Sequence, residues 1–223
     1  METFFIKNIA PAVRPHGKEA FLRSLRPGER MLDVGCGNNS PMRAKVLTSG
    51  VHYTGLDVGN YNQRQQSIQI ADKYVVVPKD AFASTIETYI DVFDAVVSSH
   101  NIEHCEQPDR VLTAISRSLK CQGRLYLSFP SEASAQLPRR KRSTLNFFDD
   151  PTHIRLPQLD SVLENISRND LEVEFLATRH RPLLPLICGL ALEPLSFLIG
   201  RAMPFGTTWA LYGFETVIWA RRR

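Results

Sequence analysis

The sequence predicts an α/β fold built on a largely parallel sheet, and two observations support this prediction. Short apolar runs rich in β-branched residues alternate with longer amphipathic segments along the chain, and this alternation is typical of strand–helix–strand units. Two glycines, Gly35 and Gly37, follow the first such run, at a place where a buried strand turns into a helix. With 223 residues the chain is long enough for one domain with an appendage.

The first two thirds of the chain are predicted to alternate between helices and strands. A first helix is predicted over residues 18–25, and strands are predicted over 30–34, 51–56, 73–77, 92–98 and 123–129. A helix over 106–119 has apolar residues at helical spacing, and Pro108 lies in its first turn, where a missing backbone donor costs nothing. Five strands joined by crossover helices imply parallel pairing.

The last third has a different pattern. A helix is predicted over 157–166, and two late strands, 171–177 and 214–220, are separated by an apolar insertion. The insertion is as long as a short membrane span. It also contains Pro185, Glu193 and Pro194, which are costly or kinking in a bilayer. A spanning helix is therefore disfavoured.

Three interpretations of residues 183–200 remain. The insertion could be a lid over a substrate pocket, or an element that lies on a membrane surface with Arg179, Arg181 and Arg201 at its edges. It could also be a helical pair packed against the sheet, and we favour this last interpretation.

Composition limits the partners. The chain has 27 Lys and Arg residues and 23 Asp and Glu residues, which give a net charge of +4. A dedicated nucleic-acid-binding protein has a much larger excess of positive charge, so we expect no DNA partner. Four cysteines without a CxxC pair, and no secretory leader, predict reduced thiols in a cytoplasmic protein. The oligomeric state is not specified by the sequence.

A nucleotide site is predicted where the first two strands end. Asp57 closes the second predicted strand 20 residues after Gly37, which is the spacing that brings a carboxylate to ribose hydroxyls in nucleotide-binding α/β folds. The dinucleotide fingerprint has Gly or Ala three residues after its second glycine, where this chain has Ser40. NAD is therefore the less favoured ligand.

From Met31 to Pro130 the chain resembles the class I S-adenosylmethionine-dependent methyltransferases, in particular their type 11 domain group. The resemblance rests on MetLeuAspValGlyCysGly at 31–37, on Asp57, on LysAspAla at 79–81 and on PheAspAlaValValSerSerHisAsnIleGluHis at 93–104. It implies a Rossmann-like, seven-stranded, mostly parallel sheet with an antiparallel last strand, in three α/β/α layers. It also implies that S-adenosylmethionine is the cofactor, with contacts from Asp33, Gly35, Cys36, Gly37, Asp57, Asp80 and Ser99.

The same resemblance implies a single methyltransferase domain over residues 1–223. Within it, residues 16–130 form the cofactor-binding core, and 131–160 form a segment that closes the active site. An apolar insertion over 181–206 precedes the last strand.

The predicted loop after the fourth strand carries the catalytic candidates. A hydroxyl acceptor needs a base for its proton, and His100 and His104 titrate in the right range. HisAsnIleGluHis also matches the HxxEH pattern of inverted zinc peptidases, but it follows a buried strand instead of lying inside a helix. Some methyltransferases bind a metal at such positions, which makes Glu103, His104 and His153 candidate ligands of a divalent ion. We favour histidines that form hydrogen bonds over a metal centre.

The acceptor is predicted only as a class. Arg139, Arg140 and His153 follow the fifth strand, where loops surround the ligand crevice. They are therefore candidate contacts for a phosphate or carboxylate, although a run of cations is by default a solvated loop. We expect O-methylation of a small, glycan-linked or lipid-linked anionic metabolite, and weak association with a membrane surface is left open. The alternative is a catalytically silent binding protein with the methyltransferase fold, attached to a membrane surface.

Overall fold

The computed structural model describes residues 10–223, in which seven strands form one sheet. The order across the sheet is β3-β2-β1-β4-β5-β7-β6. The strands are β1 (Arg30–Val34), β2 (His52–Asp57), β3 (Lys73–Val76), β4 (Phe93–Ser99), β5 (Leu119–Pro130), β6 (Leu171–Ala177) and β7 (Glu215–Arg222).

Strand directions confirm the sheet expected from the resemblance. The first five strands pair in parallel, whereas β7 pairs antiparallel with both of its neighbours, β5 and β6. The carboxyl ends of β1, β2 and β4 therefore meet at one edge of the sheet. Ligands of open α/β sheets bind at this edge, near the point where the strand order reverses.

Helices on both faces of the sheet complete three layers. The helices of the described chain are α1 (Ala10–Val13), α2 (Lys18–Arg23), α3 (Ser40–Leu47), α4 (Gln65–Gln69), α5 (Phe82–Glu87), α6 (Pro108–Ser118), α7 (Leu159–Arg168), α8 (Leu183–Ile199) and α9 (Thr207–Tyr212). Helices α2 and α3 contribute to one buried core, and α5, α6 and α7 to the other.

Strand β1 shows why the sheet is buried on both faces. Met31 packs into the core beneath α2 and α3, whereas the next residue, Leu32, packs into the core beneath α5, α6 and α7. Successive side chains of a strand point to opposite faces, so a continuous apolar run specifies a strand covered on both sides.

The predicted elements are close to those observed. Strands β1 and β6 have the expected bounds, and the other helices and strands shift by a few residues at their ends. The main difference is β5, which begins at Leu119 instead of residue 123. The polar stretch over 120–122 contains Gln122 in a left-handed conformation, and this irregular start conceals the strand in the sequence pattern.

The apolar insertion forms the single helix α8 instead of the helical pair that we expected, and α8 does not pack against the sheet. The two buried cores of the described chain contain no residue of α8, because other helices already cover both faces of the sheet. Helix α8 packs instead against α9, with most of its surface exposed. Among residues 10–223, no helix is long and apolar enough to cross a membrane.

Candidate active site

The turn after β1 requires glycine. Gly35 has a positive φ of 75°, and a Cβ atom there would lie 2.6 Å from Oδ1 of Asn101. A side chain at this position is therefore excluded both by conformation and by space. Gly35 and Gly37 line a cleft of about 440 Å³ at the carboxyl edge of the sheet, which we call the smaller cleft.

Two predicted carboxylates line the same cleft. Asp57 is buried at the end of β2, where its Oδ1 accepts a hydrogen bond from the Val58 amide at 2.7 Å. Burial raises the pKa of Asp57. Asp80 lies in the short 3₁₀ turn Lys79–Ala81 that follows β3. The glycine turn and both carboxylates thus meet in one cleft, as the motif spacing predicts.

Asp33 lies beneath the glycine turn. Its buried carboxylate accepts hydrogen bonds from the hydroxyls of Tyr53 at 2.8 Å and Ser40 at 2.5 Å, and from Lys18 at 3.4 Å. These contacts join β1, β2, α2 and the start of α3. Asp33 therefore supports the turn from below, and the residues lining the smaller cleft do not include it.

Cys36 is also turned away from the smaller cleft. Its side chain is fully buried, and its sulfur lies 2.8 Å from the position that a Cβ atom on Gly55 would occupy. Burial raises the pKa of the Cys36 thiol, so the sulfur stays protonated and unreactive. Only the backbone of Cys36 is available to the turn, and its carbonyl accepts a hydrogen bond from Gln63.

The residues of the smaller cleft fit S-adenosylmethionine. Its volume falls in the usual range for small-molecule sites, about 300–1,000 Å³. A turn without side chains allows close approach of a ligand to the backbone at Gly35 and Gly37. A carboxylate at the end of the second strand suits ribose hydroxyls. Asp57 would therefore hold the ribose, and the glycine turn would lie against the rest of the cofactor.

A larger cleft of about 820 Å³ adjoins the first. Asn38 and His100 line both clefts. The walls of the larger cleft combine apolar side chains, such as Met203 and Trp209, with cations, such as Arg64. Ser99, predicted among the cofactor contacts, lines the larger cleft instead of the smaller one.

His100 is held between two carboxylates. Its Nδ1 lies 3.1 Å from Oε1 of Glu103, and its Nε2 lies 3.2 Å from Oε1 of Glu215. Burial opposes the charged form, but the two carboxylates outweigh it and raise the pKa of His100 to about 9. His100 is therefore an imidazolium at neutral pH, with both ring nitrogens engaged. This geometry does not support the predicted role of general base.

His104 follows on the same loop and also lines the smaller cleft. Its Nδ1 contacts the backbone oxygen of Thr152 at 3.1 Å and the Thr152 hydroxyl at 3.0 Å, and that hydroxyl donates its own proton to Asp150. The carbonyl is only an acceptor, so Nδ1 carries the proton and Nε2 keeps a lone pair. His104 therefore retains the free nitrogen that a base or a metal ligand needs.

His153 is close to His104 and is arranged in the same way. Its Nδ1 contacts the backbone oxygen of Phe147 at 2.6 Å, and its Nε2 lies 4.0 Å from Oδ2 of Asp150. The candidate ligand atoms of Glu103, His104 and His153 lie within 4.8 Å of one another. Oε2 of Glu103 is buried and accepts no hydrogen bond from any described residue. The three side chains thus form a set suited to a divalent metal.

The predicted acceptor contacts Arg139 and Arg140 do not line either cleft. Arg140 is buried and forms an ion pair with Glu193 of α8. Arg139 is exposed and contacts Asp149 at 3.4 Å. Arg140 therefore anchors α8 to the loop after β5, and its charge is not available to an acceptor.

Two residues at the junction of the clefts were not predicted. Glu215 begins β7 and is buried, and its Oε2 accepts a hydrogen bond from Arg14 at 2.7 Å. Arg14 and His100 hold the pKa of Glu215 well below its usual range, despite its burial. Neither residue belongs to a local motif, and only the placement of β7 beside β5 brings Glu215 to the edge where ligands bind.

Comparisons with known proteins agree with this geometry. A family model described as a methyltransferase domain matches residues 6–175. Ubiquinone biosynthesis O-methyltransferase of Vibrio atlanticus is 29% identical over 108 residues, which are 45% of this chain and 43% of that protein. The 27-O-demethylrifamycin SV methyltransferase of Amycolatopsis mediterranei is 32% identical over 124 residues, 50% of this chain and 44% of that protein.

Among solved structures, a geranyl diphosphate methyltransferase in complex with GPP and sinefungin has a TM-score of 0.63 at 15% identity. The match covers 96% of this chain and 76% of that one, and it shows a shared fold. The chain spans about half or less of the length of the curated relatives it matches. The family model covers well over half of the chain. In addition, the glycine turn, Asp57 and Asp80 share one cleft. The chain therefore belongs to the class I S-adenosylmethionine-dependent methyltransferases.

Proposed function

We propose that this chain transfers a methyl group from S-adenosylmethionine to an oxygen atom of an anionic acceptor that is small, glycan-linked or lipid-linked. The observation that carries the proposal is the junction of the two clefts at Asn38 and His100. A cofactor in the smaller cleft and an acceptor in the larger one would meet at these two residues.

S-adenosylmethionine supplies an already activated methyl group, so the protein has mainly to align the reactants and exclude water. The buried Asp57 and the glycine turn are suited to hold the cofactor from two sides. His100 is fixed by Glu103 and Glu215, so it forms a rigid wall between the clefts. These residues position the reactants and take no proton from them.

Charge and polarity in the larger cleft support an anionic acceptor with an apolar part. Arg64 lines this cleft, and its guanidinium forms no ion pair with a described residue. Lys18 and Arg43 also line it but are paired with Asp33 and Glu19. Arg64 therefore replaces Arg139 and Arg140 as the candidate contact for a phosphate or carboxylate.

An oxygen acceptor is supported by the names of two relatives, an O-methyltransferase of ubiquinone biosynthesis and a 27-O-demethylrifamycin SV methyltransferase. An attacking hydroxyl must lose its proton, and His104 has a free Nε2 lone pair for it. We therefore assign the role of base to His104 in the metal-free protein, because an ion bound to Nε2 would occupy this lone pair.

Calorimetry with S-adenosylmethionine and S-adenosylhomocysteine tests the cofactor site. We expect micromolar binding by the wild type, and at least tenfold weaker binding by Asp57→Ala, because the ribose loses its partner. Asp160→Ala is a matched control, since Asp160 is an exposed aspartate in the first turn of α7. Equal affinities for all three proteins would contradict the assignment of Asp57.

Transfer of a labelled methyl group to a fractionated cell extract tests the reaction itself. We expect His104→Gln to lose transfer while its cofactor affinity stays within about twofold of the wild type. Tight cofactor binding by the wild type without transfer to any fraction would favour the alternative, a silent binding protein.

A further inference from the structure

The outer side of α8 is apolar along its whole length. Its largest exposed side chains include Leu183, Leu190, Phe197 and Leu198, and Leu198 is 81% exposed. They recur at spacings of seven and eight residues, close to two helical turns, which places them along one broad stripe. A contiguous exposed stripe of this kind marks an interaction surface, because apolar area in contact with water is unfavourable.

The inner side of α8 is firmly attached to the domain. Gly189 allows close contact with α9, since a Cβ atom there would lie 2.4 Å from the Thr207 carbonyl oxygen. Glu193 pairs with the buried Arg140 and also accepts a hydrogen bond from the Tyr212 hydroxyl at 2.7 Å. The helix is therefore held in place, and its outer stripe is a fixed feature of the surface.

Cations lie at both ends of this stripe. Arg179 and Arg181 precede the amino end of α8, and both donate hydrogen bonds to the Tyr212 carbonyl. Arg201 follows the carboxyl end, and Lys141 and Arg142 lie beside it, since the Arg142 amide donates to the Gly200 carbonyl at 3.1 Å. In the part of the chain that the structure describes, none of these five cations forms an ion pair with a carboxylate.

We propose that α8 rests on the surface of an anionic lipid bilayer, with its axis in the membrane plane and its outer stripe among the acyl chains. Apolar side chains between two groups of cations match such a surface, because lipid phosphates attract the cations on either side of the buried stripe. The only acid of α8, Glu193, is directed inward and paired.

Two other arrangements, a helix that spans the bilayer and a dimer through α8, fit the structure less well. A 17-residue helix is about 26 Å long, short of the roughly 30 Å apolar core of a bilayer, and Pro194 interrupts it. In an antiparallel contact between two copies of α8, the cations at one end would face those at the other end of the partner. Repulsion without any acid between them disfavours such a dimer.

The proposed orientation brings the larger cleft to the membrane. Ser143 accepts a hydrogen bond from the Ala202 amide at 2.5 Å, just beyond the end of α8, and both residues line the larger cleft. A lipid-linked acceptor could therefore enter from the bilayer. This consequence rests on the proposed function, whereas binding of α8 to vesicles does not, so the two proposals can fail separately.

The exposed Cys188 of α8 offers a direct test. In the Cys121→Ser variant, a polarity-sensitive fluorophore attached to Cys188 should shift to shorter wavelength with phosphatidylcholine/phosphatidylglycerol vesicles, and much less with phosphatidylcholine alone. Cys121, the other exposed cysteine, is at the start of β5, so the same label in the Cys188→Ser variant is the matched control and should not respond. Burial raises the pKa of Cys105 to about 12, so this thiol competes poorly for the label.

Sedimentation of the unlabelled full chain with the same vesicles tests the cations. We expect Arg179→Gln/Arg181→Gln to bind at least tenfold more weakly, and Arg26→Gln/Arg168→Gln, a double variant at exposed sites away from α8, to bind like the wild type. Circular dichroism should show that both variants are folded. An unchanged Cys188 spectrum in anionic vesicles would overturn the proposal, as would light scattering that shows dimers in solution together with no sedimentation.

Discussion

Nε2 of His100 lies 3.2 Å from Oε1 of Glu215, a residue 115 positions further along the chain. The other nitrogen of His100 contacts Glu103, and the other oxygen of Glu215 accepts a hydrogen bond from Arg14. Two cations and two carboxylates thus alternate where the two clefts meet. Their charges balance, which allows four ionised groups to be held together in a largely buried position.

Replacing Glu215 with Gln should destabilise the protein strongly. His100 and Arg14 would lose their shared partner and remain as poorly compensated charges, which typically costs about 3–5 kcal/mol for a buried pair. Urea unfolding followed by circular dichroism measures this loss. Glu174→Gln is the control, because Glu174 pairs with Arg221 at an exposed position and such pairs contribute about 0–1 kcal/mol. Similar unfolding free energies for the two variants would contradict the network.

The raised pKa of His100 predicts a loss of stability towards alkaline pH. Between its ordinary value of 6.5 and about 9, the folded state binds a proton that the unfolded state does not. The stabilisation is therefore fully present below pH 6.5 and is lost as pH rises through 9, by on the order of 3 kcal/mol.

Urea unfolding from pH 6 to 9 in chelator-containing buffer measures this dependence. His100→Gln should remove most of the slope, because the variant has no group at this site that titrates in that range. A wild-type unfolding free energy that stays constant or rises over the interval would be inconsistent with a protonated His100.

Gly189→Ala should loosen the contact between α8 and α9. The added methyl group would lie 2.4 Å from the Thr207 carbonyl oxygen and 2.9 Å from Cβ of Leu211, so one helix has to shift. Overpacking of this kind costs about 1–3 kcal/mol. Hydrogen exchange of the α9 amides should accelerate accordingly, whereas Ala191→Gly, at an exposed position of the same helix, should leave the contact intact. An unchanged rate of hydrogen exchange in α9 of the Gly189→Ala variant would contradict a tight contact between the two helices.

The fold was predictable because a short run of consecutive apolar residues specifies each central strand. Met31 and Leu32 fill opposite cores, so the run that contains them specifies a strand without knowledge of its neighbours. The position of α8 was not predictable in this way. Its inner contacts, such as Gly189 with Thr207 and Glu193 with Arg140, join segments that are distant in sequence.

The same distinction applies to the site. Gly35, Gly37 and Asp57 share a cleft because neighbouring parallel strands end at one edge, which their spacing along the chain indicates. The Glu215 contact depends on β7 lying between β5 and β6, and no local pattern encodes that order. A run of arginines likewise does not reveal that one of them, Arg140, is already paired.

The group Glu103, His104 and His153 leads to a prediction about metal binding. Both histidines direct Nδ1 to a backbone carbonyl, which leaves Nε2 as the ligand atom, and Oε2 of the buried Glu103 has no partner among the described residues. Ligand atoms on one tetrahedral zinc ion lie about 3.4 Å apart, so a group spread over 4.8 Å has to contract by more than about 1 Å to bind it. Two imidazoles and one carboxylate favour zinc, manganese or iron over magnesium.

We expect one equivalent of Co²⁺, used as a spectroscopic substitute for zinc, to give visible absorption bands with the wild type. His153→Gln should remove the bands, because two remaining ligands hold such an ion weakly. His52→Gln should keep them, since His52 is exposed and lies outside the group. If the bands are absent from the wild type, or persist in His153→Gln, these histidines serve only as hydrogen-bonding groups. In that case the unpartnered oxygen of Glu103 must be satisfied by water, because a buried carboxylate oxygen without any partner is costly.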